Sequence, residues 1–160
     1  MNKQSLLNAV VEILEKDLQA IVDASSVARK AATEGEAKAE HKYDTRGIEQ
    51  SYLADGQARR GAELMESIAH LKALPLLNFQ KSSPVQISAI VEVESEREDF
   101  QLFFILPSRG GIKVDFEGQE ILTLSPDSPM GENILGKFTG DEFEVKLKNK
   151  IHSYSIRSIR

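Results

Sequence analysis

The chain has 160 residues, of which 41% are hydrophobic and 28% charged, and its formal net charge is −5. That is enough apolar material for one ordinary domain or two small ones, and it excludes a disordered chain. It leaves no basic surplus to neutralise a nucleic-acid backbone, so any nucleic-acid contact has to be local.

Residues 1–5 lead into an amphipathic stretch broken by Glu12, Glu15, Lys16 and Asp17, so there is no signal-peptide core. No run approaches the ~20 apolar residues a membrane helix needs. A cytoplasmic protein without membrane contact is expected. From Leu7 the seam positions fall at Leu7, Val11, Leu14, Leu18, Ile21, Ser25, Ala28 and Ala32, alternating steps of four and three, which is a heptad pattern. A helix from Ser5 to about Thr33 would be on the order of 40 Å long. Its seam thins from Leu to Ala, which makes the far end slender and suited to insertion into something else.

A second helical stretch runs from about Tyr43 to Leu74, with Ala54, Ala58, Gly61, Met65 and Ile68 as its seam and Leu64 and Leu71 beside it. Its small residues come first and its large ones last, so antiparallel pairing sets small against small and large against large. Residues 34–42 become the tip. Gly47, Gly56 and Gly61 each cost roughly 1 kcal/mol of helix propensity relative to Ala, so this helix needs its partner. Pro75 stops it.

Beyond Pro75 the period becomes two. Val85, Ile87, Ala89, Val91 and Val93 alternate with mostly polar residues, as do Phe100, Leu102, Phe104 and Leu106, and later Phe143, Val145 and Leu147. Residues 95–99, 108–111 and Glu117-Gly118 read as turns between strands of an antiparallel sheet. One short helix interrupts it: Ser128 suits an N-cap, Pro129 the first helical position, and Gly136 the far end. The fold class is therefore α+β, with an antiparallel coiled-coil helical hairpin over residues 1–75 and a small antiparallel β domain with one short helix over 76–160.

The absence of cysteine removes disulfides, thiolate nucleophiles and Cys-type zinc sites together. His41, His70 and His152 show no metal-ligand spacing, so no metal site of the chain's own is expected. Dinucleotide, P-loop and hydrolase motifs are missing as well. What remains is the tip, where Glu34, Glu36, Glu40 and Asp44 lie among Lys38, Lys42 and Arg46. If residues from Glu36 are helical, Glu36 and Glu40 share a face and could reach one cation together. The alternative is a solvated charged loop.

The segment Ser128-Pro129-Met130-Gly131-Glu132-Asn133-Ile134-Leu135-Gly136-Lys137-Phe138-Thr139-Gly140-Asp141 resembles the Gre family of transcript-cleavage and elongation factors. Ser128, Pro129, Leu135, Gly136, Lys137, Gly140 and Asp141 fit the family pattern without a gap. The resemblance implies a coiled-coil hairpin followed by an FKBP-like β domain, and it covers essentially the whole chain. At the tip the family carries Gly-Asp-Leu-x-Glu-Asn-x-Glu-Tyr where this chain reads Gly35-Glu36-Ala37-Lys38-Ala39-Glu40-His41-Lys42-Tyr43. Glu36 keeps the first acid with one extra methylene. Ala39 stands at the second acid, and Glu40 falls one residue later, a rotation of roughly 100° on a helix.

The resemblance implies binding to bacterial RNA polymerase, with the hairpin in the secondary channel and indirect contact with nascent RNA. There Glu36 and Glu40 would act on the second catalytic Mg²⁺ of the polymerase, whose charge stabilises the attacking and leaving oxygens in cleavage of backtracked RNA. The chain would hold no cofactor and be no enzyme itself, and Lys137 becomes a candidate partner-binding residue. A channel binder without cleavage activity, acting as inhibitor or modulator, stays open because of Ala39. So do a prolyl isomerase, which would need an aromatic-walled pocket, and an adaptor unrelated to transcription. A dimer would favour the adaptor; a monomer is expected of the polymerase factor.

Overall fold

The computed structural model describes residues 1–36, 45–148 and 150–160, and of residues 28–36, 45–54 and 147 it describes the backbone alone. In chain order the elements are α1 (Lys3–Glu36), α2 (Thr45–Lys72), β1 (Ile90–Ser95), β2 (Phe100–Ile105), β3 (Lys113–Phe116), β4 (Gln119–Leu124), α3 (Pro129–Ile134), β5 (Glu142–Leu147) and β6 (Lys150–Ile159). They form two compact units: residues 1–10 with 71–160, and residues 11–70. The first turns of α1 and the end of α2 thus belong to the unit that holds the sheet.

In α1 the expected seam is the buried one. Leu7, Val11 and Leu14 are buried, Leu18, Ile21 and Ser25 half-buried, and the flanking charged residues exposed. In α2 the seam lies elsewhere. Met65 is 60% exposed and Ala58 is also exposed, whereas Gly61, Leu64, Ile68 and Leu71 are buried. The sequence admits two frames with the same alternation of four and three, and burying Leu64, Ile68 and Leu71 together removes more apolar surface from water. Both helices of the 11–70 unit meet at Gly61, where an added Cβ would lie 3.6 Å from Ile21 Cγ2 and 3.9 Å from Leu18 Cδ1.

The other unit is built on one six-stranded sheet in the order β3-β4-β2-β1-β6-β5. Contrary to the all-antiparallel expectation, β2 and β4 run parallel, with Leu102 opposite Ile121 and Ile105 opposite Leu124. The cause is topological: β3 lies outside β4, and the chain turns back at Glu117-Gly118 to fill the gap beside β2. That turn has φ of 54° at Glu117 and 77° at Gly118, positive at both central positions as a tight two-residue hairpin requires. Residues 85–89 alternate as a strand would, yet β1 begins only at Ile90, because Ser88 is fully buried at φ 72° and breaks the extended run.

Strand alternation sorts the side chains by face. Val91, Val93, Phe103, Ile105, Leu124, Phe143, Val145, Tyr154, Ile156 and Ile159 form one core, closed by Ile134 of α3. Ile156 and Ile159 are three apart and would fall on opposite faces of a regular strand. A register shift against β1 between Glu92 and Val93 absorbs the extra residue, as a β-bulge does. On the other face Leu102, Phe104 and Ile121 are buried, as are Leu6, Leu7, Val10 and Leu71 of the same unit.

Candidate functional site

Three residues carry the functional expectation, and the structure treats them differently. Glu36 is the last residue of α1, with only its backbone described, and Glu40, with the rest of the proposed tip through Asp44, lies outside the described residues. Lys137 sits between α3 and β5 and is half-buried. Its backbone is held on both sides: its N–H donates to Ile134 O at 3.2 Å, and its carbonyl accepts from Val85 N at 2.8 Å.

The segment around Lys137 is rigid for reasons that can be read residue by residue. Ser128 caps α3 as expected, its Oγ accepting from Gly131 N at 3.0 Å while donating to Ser125 O at 2.8 Å. Pro129 follows at the first helical position, where a missing N–H costs nothing. Gly136 takes φ 77° just past the helix, and its N–H reaches Val85 O at 2.9 Å. Asp141 Oδ2 accepts from Phe138 N at 2.8 Å, closing a turn whose Gly140 stands at φ 93°.

This turn presents an apolar group beside Lys137 that sequence reasoning missed. Phe138 is 45% exposed. The signal was available: an aromatic residue within Gly-Lys-Phe-Thr-Gly belongs to neither helix nor strand, so no regular element buries it.

The unburied part of the second sheet face is polar. Glu94 pairs with Arg157, and Glu92 with Arg160 at 3.6 Å and with Ser158 Oγ at 3.1 Å; His152, which shares the face of Tyr154, lies 3.6 Å from Glu96 just past the end of β1. Arg157 and Ser158 both reach these glutamates because the bulge in β6 turns consecutive residues to one side. Burial, then the Glu96 carboxylate, push the Tyr154 hydroxyl above its usual range. Among the described residues no group of three or more His, Asp or Glu is arranged to hold a metal ion. No described helix is long and apolar enough to cross a membrane.

Residues 80–160, just over half of the chain, match the family model described as "Transcription elongation factor, GreA/GreB, C-term". The chain belongs to the GreA/GreB family. The match spans the whole Ser128–Asp141 segment, so the capped short helix and the Gly140-Asp141 turn lie within the matched domain. No curated protein matches the sequence significantly. Among solved structures, one titled as the transcription factor Gfh1 is 18% identical, with 95% of this chain and 94% of that one covered and a TM-score of 0.41. Gfh1 of Thermus aquaticus is 19% identical over 96% and 95% of the two chains, at a TM-score of 0.40. The GreA/GreB factor of Nitrosomonas europaea is 17% identical over 70% and 91%, at 0.37. At such scores the assignment to GreA/GreB rests on the sequence match.

Proposed function

We propose that this GreA/GreB-family chain regulates transcription elongation by binding RNA polymerase, and that the segment following Glu36 acts inside the polymerase's secondary channel. Family membership carries this reading. The 34-residue α1 supports it, since a helix of that length rises roughly 50 Å and can deliver a tip far into a narrow opening. On the sheet-bearing domain, Lys137 and the exposed Phe138 beside it offer a cation and an apolar ring on a rigid turn to the docking partner. The chain catalyses nothing by itself in this reading. Glu36 and Glu40 would present carboxylate oxygens to the polymerase's second Mg²⁺, and that ion would supply charge stabilisation for the attacking and leaving oxygens in cleavage of backtracked RNA.

Ala39, at the place of the family's second acid, favours a second reading in which the chain enters the channel without promoting cleavage. Both readings are tested on halted, backtracked polymerase complexes. Native protein is expected to accelerate RNA cleavage, and Glu36→Ala or Glu40→Ala to slow it by on the order of a hundredfold, as loss of one transition-state partner does. Binding without cleavage would establish the channel binder. Neither binding nor any effect on the polymerase would overturn both.

A further inference from the structure

β5 is an outer strand of the sheet and pairs only with β6, so one side of its backbone has no neighbouring strand. Which residues present that side follows from the bonds at its start. Ile156 N donates to Asp141 O at 2.9 Å, which makes those two a hydrogen-bonded pair. In an antiparallel ladder such pairs alternate with pairs that exchange no bonds. Phe143 and Val145, opposite Tyr154 and His152, are therefore bonded to β6. Glu142, Glu144 and Lys146 turn their N–H and C=O groups outward, where no other described group bonds to them. The pairing of Leu147 with Lys150 across two residues gives the same phase, since a tight hairpin closes on a bonded pair.

The three outward residues also carry the charges of the strand. Period two sends their side chains to the second sheet face, in line with Ser155 and, across β6, with Glu94. All three are exposed, and among the described residues none of them takes part in an ion pair. Beside them a groove of about 300 Å³ opens over Ser153 and Ser155, with Glu94 and Glu142 in its wall. The opposite edge of the sheet lacks these features: β3 has four residues, and its Lys113 is paired with Glu120 at 2.9 Å.

We propose that β5 is a docking edge for an extended segment of a partner protein, which joins the sheet as a further antiparallel strand with basic residues opposite Glu142 and Glu144. Backbone bonds to Glu142, Glu144 and Lys146 supply the attachment, and the charges set the register. Read from its N-terminus, the segment places an acid against Lys146, a base against Glu144 and a base against Glu142, at alternate positions. The residues between them run beside Val145 and Phe143 on the core face, which suits β-branched side chains. The base opposite Glu142 has the groove over Ser155 to extend into. A second copy of this chain fits the edge less well. Setting Glu142 against Lys146 of the copy puts Glu144 against Glu144, a like-charge pair that opposes the ladder. The same charges thus deter self-association and admit a complementary strand.

The test titrates the full-length protein with the peptide acetyl-Thr-Glu-Val-Lys-Val-Arg-Thr-amide and follows amide exchange residue by residue by NMR. In the free protein the amides of Glu142, Glu144 and Lys146 should exchange at least about a hundredfold faster than those of Phe143 and Val145. The peptide should slow the first three and leave the other two unchanged. Methylating the backbone nitrogen of the peptide's lysine, which faces β5, should abolish binding. Methylating that of the following valine, which faces away, should leave Kd within about twofold. Glu142→Lys combined with Glu144→Lys should weaken binding by at least about tenfold and confer binding of the charge-reversed peptide acetyl-Thr-Lys-Val-Glu-Val-Glu-Thr-amide. Three results would overturn the proposal: an unchanged Glu144 amide at millimolar peptide, equal binding of the two methylated peptides, which is charge attraction without a strand, or protection of the outward amides by a second copy at high protein concentration.

Discussion

Replacing Gly131 by Ala should destabilise the sheet-bearing unit, although Ala is the better helix former. An added Cβ would lie 2.0 Å from the carbonyl oxygen of Ser125, so the oxygen or the helix has to move by more than about 1 Å to restore normal contact. Neither moves freely. Ser125 O already accepts from Ser128 N at 3.1 Å and from Ser128 Oγ at 2.8 Å, and that same Oγ caps α3 through Gly131 N. Relief therefore gives up the cap and strains two hydrogen bonds, at about 1 kcal/mol each. The expected loss is about 2–4 kcal/mol. Urea unfolding followed by far-UV circular dichroism gives the total, and amide exchange at Val85 and Gly136, which pair with this segment, gives its location. A loss below about 0.5 kcal/mol, with exchange unchanged at both amides, would refute the reasoning.

Gly61→Ala should do the opposite and stabilise the 11–70 unit by about 1 kcal/mol, because the new methyl meets Ile21 and Leu18 at ordinary contact distance; thermal melts at the helical wavelength decide its sign. For Lys3, whose folded-state pKa falls to about 8, the unfolded chain holds the extra proton between that value and its own pKa of 10.5. Stability should therefore rise as pH increases across that window. The contribution is measured as the difference from Lys3→Met, which removes the other high-pH titrations, Tyr154 included, and a flat difference curve would contradict it.

The sequence carried the faces of these elements better than their neighbours. Period two placed Val91 with Val93 and Phe143 with Val145, and all four lie in one core, since alternation depends only on which side is dry. It could not show that β4 returns beside β2 in parallel, because pairing partners are chosen by loop paths and long-range packing. The second helix failed for a related reason: Ala and Gly carry little apolar area, so the early positions of the seam could not choose between Met65 and Leu64. The clasp of Lys3 on Leu77 joins residues 74 apart in the chain, and nothing local announces it. As for the candidate site, the sequence marked Lys137 but not Phe138, and the tip glutamates stand as sequence expectations.

What made the family legible explains why its activity was harder to read. Ser128 is a cap, Pro129 starts a helix, Gly136 and Gly140 occupy positive φ, and Asp141 Oδ2 closes a turn on Phe138 N. Each is demanded by the backbone, so a chain that folds this way needs these residues whatever it acts upon. A motif made of such residues identifies an architecture, and the side chains that meet a partner have to lie elsewhere. In the proposed reading they are, in this domain, residues the backbone leaves free to vary, such as Phe138 within its turn. In the hairpin the same reading assigns that role to the charged residues beyond Glu36, where one position separates Ala39 from Glu40 and where cleavage and occupancy of the channel would part.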